Sequence, residues 1–300
     1  MTVPPLAAPA LVFFCNAFLY INLFSKLPEL VERLGIDKGL LGLSFLAGTV
    51  GTFIALPFAG RITQWLTPRI AASILLLAIA AIILTAFTVP FYWAFILCLL
   101  AFGICRTILE VAQNLMATQI EADTGKHVLS RSHGFWSIGL LGGSLFSGLM
   151  SGLAVASWMQ MMLSALIVLS LMGLMLRISP KARATAASDM PGRGRFFAVP
   201  DRAILLVCAM MFGIAVTEGA IYDWAAFYIQ QVLHADPAAV GILFSCFTMG
   251  MGATRMGGDA LRARFHAPTI LRCSAASAFA GILLLLTAPN LYLAALGLAL

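Results

Sequence analysis

Residues 92–118, YWAFILCLLAFGICRTILEVAQNLMAT, decide the fold class. From Tyr92 to Cys105 the run is uncharged and apolar on every face, and it continues past Arg106 and Glu110 with no Pro or turn signal. A soluble amphipathic helix would show a polar stripe at a period of 3.6 residues. This run shows none, and it exceeds the roughly 20 residues that a membrane crossing needs. The rest of the chain agrees: of its 300 residues, 61% are hydrophobic and only 10% are charged. The mean hydropathy is +0.99. A soluble domain carries about 25% charged residues. So few charges cannot coat a water-soluble globule. The composition excludes a nucleic-acid binder, a secreted disulfide scaffold and an ordinary cytosolic enzyme as readings of the whole chain. Lipid tolerates only helices or closed barrels, and barrel strands would alternate in segments of about 10 residues. The expected fold class is an all-α polytopic membrane protein.

Similar runs cover 9–28, 40–60, 70–89, 133–154, 158–177, 203–230, 238–258 and 268–287. With 92–118 they predict nine full spans; 291–300 is too short to cross and reads as the start of a tenth, so that the chain stops inside a helix. No Lys or Arg precedes the first run, which is therefore a retained span and not a cleaved signal. Basic residues gather in alternate connections: Arg61 and Arg69, Lys126 and Arg131, the group from Arg177 to Arg202, then Arg262, Arg264 and Arg272. The opposite connections hold only Lys26, Arg33 and Lys38. The positive-inside rule places the N-terminus in the cytoplasm, so the net charge of +6 reports topology and not an anionic partner.

The polar stretch 179–201 divides the chain as a cytoplasmic linker between a six-helix bundle, 1–178, and an incomplete second bundle, 202–300. A repeat supports the division, since 42–70 resembles 241–270: each is a Gly-rich span, a basic connection, then Pro entering the next span. The six cysteines sit inside apolar runs without metal-ligand spacing, and no phosphate-binding, metalloprotease or nucleophile motif occurs. No cofactor, metal or nucleic acid is expected; a monomer in a lipid bilayer is.

Ionisable side chains inside spans carry the functional signal, because each costs about 2.5–3.5 kcal/mol at the bilayer centre. Arg106 and Glu110, four apart, share one helix face. They read either as an ion pair that makes the span insertable or as a protonatable carboxylate beside a solute anchor. Asn114 lies one turn on. Glu218 and Asp223 stand about 140° apart around one helix. Glu218 is therefore the cavity candidate, and Asp223 an interfacial gate beside an aromatic belt of Tyr222, Trp224 and Tyr228. Trp224 has a second reading, as a stacking surface for a solute. Arg255 is expected to pair with Asp259 at i+4. Gly139, Gly143, Gly148 and Gly152 predict close helix packing along 133–154.

Motifs spread over the chain resemble the major facilitator superfamily, and within it the fucose-permease-like branch of bacterial inner-membrane permeases. They are Ser25-Lys26-Leu27-Pro28, Leu40-Leu41-Gly42-Leu43, Glu110-Val-Ala-Gln-Asn114, the stretch from Ser132 to Gly139, and Glu218-Gly-Ala-Ile-Tyr-Asp223-Trp224. The resemblance implies a secondary active transporter working by alternating access on a small polar solute such as a sugar, with protons as the coupling ion and the bacterial inner membrane as its location. Glu110 would carry the proton. Arg106, Asn114, Asn16, Asn22, Glu218 and Trp224 would bind solute; Asp223, Arg255, Asp259 and Arg69 would gate. Two departures stand out. Gln64 and Thr67 replace the Asp and Gly of the superfamily's loop before Arg69, and Asn16 and Asn22 occupy the span where fucose-type permeases place a carboxylate. The alternatives are a non-transporting receptor or scaffold on the same fold, and a truncated, inactive transporter.

Overall fold

The computed structural model describes residues 7–125, 128–178 and 201–300, less the side chains of 203, 256, 258–260, 262 and 263. Among them the regular structure is entirely helical. Helix α1 spans Ala7–Ser25, the short α2 Leu27–Leu34, α3 Lys38–Leu66, α4 Pro68–Ala86 and α5 Tyr92–Thr124. After these come α6 (Leu129–Gly152), α7 (Ser157–Ile178), α8 (Arg202–Phe227), α9 (Pro237–Arg264), α10 (Ala267–Thr287) and α11 (Leu291–Ala299). Helix α8 runs on into a π-helical turn, Tyr228–Val232. The ends are set by local chemistry. Asp37, Asp201 and Asn290 accept from Leu40, Ile204 and Leu293 backbone N–H groups as N-caps. Pro68 and Pro237 open their helices, and Gly35 closes α2 in the left-handed conformation.

Among the described residues, eight helices are long and apolar enough to cross a bilayer: α1, α3, α4, α5, α7, α8 with its π turn, α9 and α10. Helix α6 has the length, 24 residues, but so many Gly and Ser that it misses the hydropathy of its neighbours. Its composition answers to packing. The connections at 87–91, 153–156 and 288–290 are short, and the first and last join helices that pack on each other, α4 on α5 and α10 on α11. Except for Asp201, the expected linker 179–201 lies outside the described residues.

Helix α1 is the axis of the first half, buried along most of its length against α4, α5, α6 and α7 and touching α8 of the second. Large apolar side chains such as Leu43, Phe53, Trp93, Leu145, Phe212 and Phe279 face outward. Buried polar ones collect inside. Gln160 Nε2 donates to Asn22 Oδ1 (2.8 Å) and Ser147 Oγ (3.0 Å), and the Ser147 hydroxyl meets that of Ser25 at 2.7 Å. This pattern suits helices in lipid, where packing and interhelical hydrogen bonds replace the hydrophobic drive between helices. Clamps at the helix ends add to it: Arg33 donates to the carbonyls of Ala86 and Phe87, and Glu29 accepts from Ser157.

Backbones approach where the glycines of α6 lie. A Cβ at Gly143 would strike Ile21 Cγ2 on α1, and a Cβ at Gly241 would strike the Gly148 backbone. The packing expected of Gly139, Gly143, Gly148 and Gly152 is therefore present and serves two partners, α1 and α9. Gly143→Val should cost about 1–3 kcal/mol by overpacking; a melting temperature in detergent equal to that of the parent would contradict this. Gln160→Leu strands the buried Asn22 Oδ1 acceptor and should cost about 1–2 kcal/mol, again measured as a lowered melting temperature.

Candidate functional site

Helix α5 presents Arg106 and Glu110 one turn apart, and Arg106 Nη2 lies 2.8 Å from Glu110 Oε1. Both side chains are about a third or more exposed, at 32% and 42%, so they border open space within a helix otherwise long enough to span. The guanidinium sits over the Tyr20 ring of α1, 4.6 Å from its centroid, a cation–π contact. Arg106 Nε is buried and has no hydrogen-bond partner. Tyr20 in turn meets the edge of Tyr222 from α8 at 5.2 Å and 90°. The Tyr222 hydroxyl donates to Glu218 Oε1 at 3.4 Å, and Glu218 lies 3.7 Å from Arg255 Nη2 on α9. Arg255 Nη1 then reaches back to the first half and donates to Ser137 Oγ of α6 at 3.5 Å. Five helices converge here. Each half contributes one Arg–carboxylate pair, and two tyrosines join them.

The surroundings are aromatic. Phe24 and Trp136 lie 4.4 and 6.2 Å from Tyr20, and Phe247 lies 5.5 Å from Tyr222. Such walls keep the dielectric low, so charges act over longer distances than in water. Arg106 and Tyr20 feel Glu110, Glu218 and Asp223 together. Glu218 reaches the cluster through Tyr222 and Arg255. Glu218 also lies on the wall of an apolar cavity of about 730 Å³ between α8, α9, α10 and α11, beside Thr217 and Thr254.

The remaining candidates scatter. Asn114 Nδ2 donates to the Glu110 carbonyl (2.7 Å) and shares with Glu110 and Thr107 a shallow groove of about 470 Å³. Asn16 is buried and donates to Gln113 Oε1 at 3.1 Å. Asn22 is fully buried and belongs to the Gln160 seam. Trp224 packs on Phe45 of α3 and on Phe227, closing the gap between the halves beside the cluster. Arg69 donates to the Leu176 carbonyl and ties the start of α4 to the end of α7, apart from the cluster. Arg255 turns to Glu218; the side chain of Asp259, its expected partner, lies outside the described residues.

Sequence reasoning missed Tyr20 and misplaced Tyr222, which is buried between Tyr20 and Phe247 and not part of an interfacial belt. Tyr20 gave one weak signal, a hydroxyl-bearing ring deep in a strongly apolar run with no interface beside it. Chemically, the cluster can hold a proton on a carboxylate whenever its guanidinium is drawn away. It can also offer guanidinium donors to an acceptor-rich molecule.

Comparison with known proteins places this architecture. The chain is 26% identical over 290 residues to an uncharacterised transporter, y4wD, of Sinorhizobium fredii, covering 95% of this chain and 75% of that protein. It is 25% identical over 237 residues to an uncharacterised MFS-type transporter of Yersinia pestis, covering 77% of this chain and 59% of that one. To the membrane protein MosC of Rhizobium meliloti it is 23% identical over 287 residues, covering 95% and 69%. The chain thus spans from 59% to 75% of the length of these relatives. Residues 10–300 match the Major Facilitator Superfamily, nearly the whole chain, and the protein belongs to that superfamily.

Proposed function

We propose that the protein is a secondary active transporter that moves a small polar solute, sugar-like or another metabolite, by proton-coupled alternating access. The observation that carries this reading is the pair of Arg–carboxylate contacts, Arg106–Glu110 and Arg255–Glu218, one on each half and joined through the touching rings of Tyr20 and Tyr222. Membership of a superfamily of carriers and likeness to proteins named as transporters support it. The ionised Glu110 carboxylate and the solute compete for the Arg106 guanidinium. Protonation of Glu110 removes the anion that holds Arg106, and the freed guanidinium, with its unpartnered Nε–H, offers donors to the solute. When Glu110 loses its proton on the other side, it reclaims Arg106 and expels the solute. A ligand shifts such a two-state carrier only through the difference in its affinity for the two states.

In this reading Arg106, Asn114 and Glu218 meet the solute, with Trp224 at the edge of the site. Asn16 and Asn22 already spend their groups on Gln113 and Gln160, and they contribute by holding α1 against α5 and α7. Asp223, Arg255, Asp259 and Arg69 act in gating. Helix α6 also crosses the membrane, making nine crossings, with the N-terminus and the 179–201 linker on the cytoplasmic face of the bacterial inner membrane. The protein works as a monomer, and the imposed gradients set the direction of transport.

In proteoliposomes given a panel of sugars and small acids and an inward pH gradient, the parent should accumulate at least one solute. Glu110→Gln should abolish gradient-driven accumulation and keep part of the solute exchange. Accumulation by Glu110→Gln at the parent level would end the coupling assignment, and failure of the parent on the whole panel would favour a receptor or scaffold. Orientation is tested separately with a membrane-impermeant maleimide. Lys38→Cys should label in intact spheroplasts, and Arg131→Cys only after permeabilisation.

A further inference from the structure

The two ion pairs are joined by aromatic rings, and the joint crosses from one half of the molecule to the other. Tyr20 is only 8% exposed and is gripped by Phe24, Phe102 and Trp136. One face of the ring carries the Arg106 guanidinium. Tyr222, from the second half, meets the ring edge-on. Among the described residues the Tyr20 hydroxyl makes no hydrogen bond, whereas the Tyr222 hydroxyl donates to Glu218. The ring of Tyr20, not its oxygen, makes these contacts.

We propose that Tyr20 is a positioning residue that ties the Arg106–Glu110 ion pair to the separation of the two halves. The inference rests on the proton-coupling reading above and adds the part that transmits it. Arg106 has a buried Nε without a partner, so its seat is fixed by Glu110 at one end and by the Tyr20 ring beneath it. When the halves part at this end, Tyr222 leaves the ring edge. Tyr20 then gains room to turn, Arg106 loses its platform, and the guanidinium draws away from Glu110. Linkage makes the effect reciprocal: a proton on Glu110 loosens Arg106, then Tyr20, then the contact with Tyr222. The charged and titratable groups around Glu110 are Arg106 on its own helix, Tyr20 on α1, His133 on α6, Glu218, Asp223 and Tyr222 on α8, and Arg255 on α9. The packed helices α3 and α4 bring only Lys38, Arg61 and Arg69, all near their ends.

The test needs no solute. Spin labels on cysteines introduced at the exposed Lys38 and Gln231, in the chain with its six native cysteines replaced by Ala, report the spacing of the halves at the end that carries Trp224. Double electron–electron resonance then measures that spacing across a pH series. The parent should redistribute between two spacings with pH, and Glu110→Gln should not. Tyr20→Phe, which keeps the ring, should respond as the parent does; Tyr20→Leu, with a melting temperature shown to match, should lose the response. A parent-like response in Tyr20→Leu, or a loss in Tyr20→Phe equal to that in Tyr20→Leu, overturns the assignment to the Tyr20 ring and leaves proton coupling standing. A parent without a pH response, or a Glu110→Gln that responds fully, overturns the coupling reading and this inference with it. If Tyr20→Leu does not fold, Tyr222→Leu breaks the same joint from the other side, and a retained response there is equally fatal.

Discussion

The charges between the halves are the constraint on which everything else rests. Two guanidinium groups and three carboxylates stand among helices whose outer faces are hydrocarbon-like. Each would be expensive alone. They persist because each guanidinium lies beside a carboxylate and because aromatic rings pack on Arg106 and on the tyrosine that meets Glu218. The fold is arranged to supply that enclosure: α1 stands at the centre, α5 and α6 flank it, and α8 and α9 complete the ring from the second half.

Around it the usual soluble pattern is turned inside out. Asn22, Ser25, Ser147 and Gln160 are sealed within the first half, while Leu, Phe and Trp side chains lie outside. A hydrogen bond between helices outranks a contact between apolar side chains here, because lipid offers the latter everywhere and the former nowhere. The first half is thus knit internally by polar seams and by clamps at both ends, through Arg33 and Glu29 at one and Arg69 at the other. Its junction with the second half is made of the α6–α9 contact, the Arg255–Ser137 hydrogen bond, the two tyrosines and Trp224 on Phe45.

Much of this was legible in the sequence, and the reason is physical. Bilayer thickness dictates a run length, so the helices announce themselves, and short connections force antiparallel neighbours. The Arg106–Glu110 pair was legible too, since a spacing of four puts both groups on one face of any helix. The limits appear where partners are distant in sequence. Spacing alone made Asp259 the natural partner for Arg255, yet Glu218 from another helix reaches its guanidinium. The same holds for Asn22, whose polarity suggested a binding role until Gln160, far along the chain, proved to satisfy it. Tyr222 looked interfacial because its neighbours are aromatic, and only the approach of α1 makes it interior. Helix α6 shows the converse: its glycines foretold intimate contact but not that two different helices would share it.

That double use of α6 carries a mechanical corollary. Where Gly148 faces Gly241 the two helices touch main chain to main chain. Knobs seated in holes must climb out before two cylinders can turn on each other. Bare backbones need only roll. The joint therefore resembles a smooth bearing more than a ratchet, and resistance to movement resides in the charged and aromatic centre, where a passing molecule or a proton can reach it.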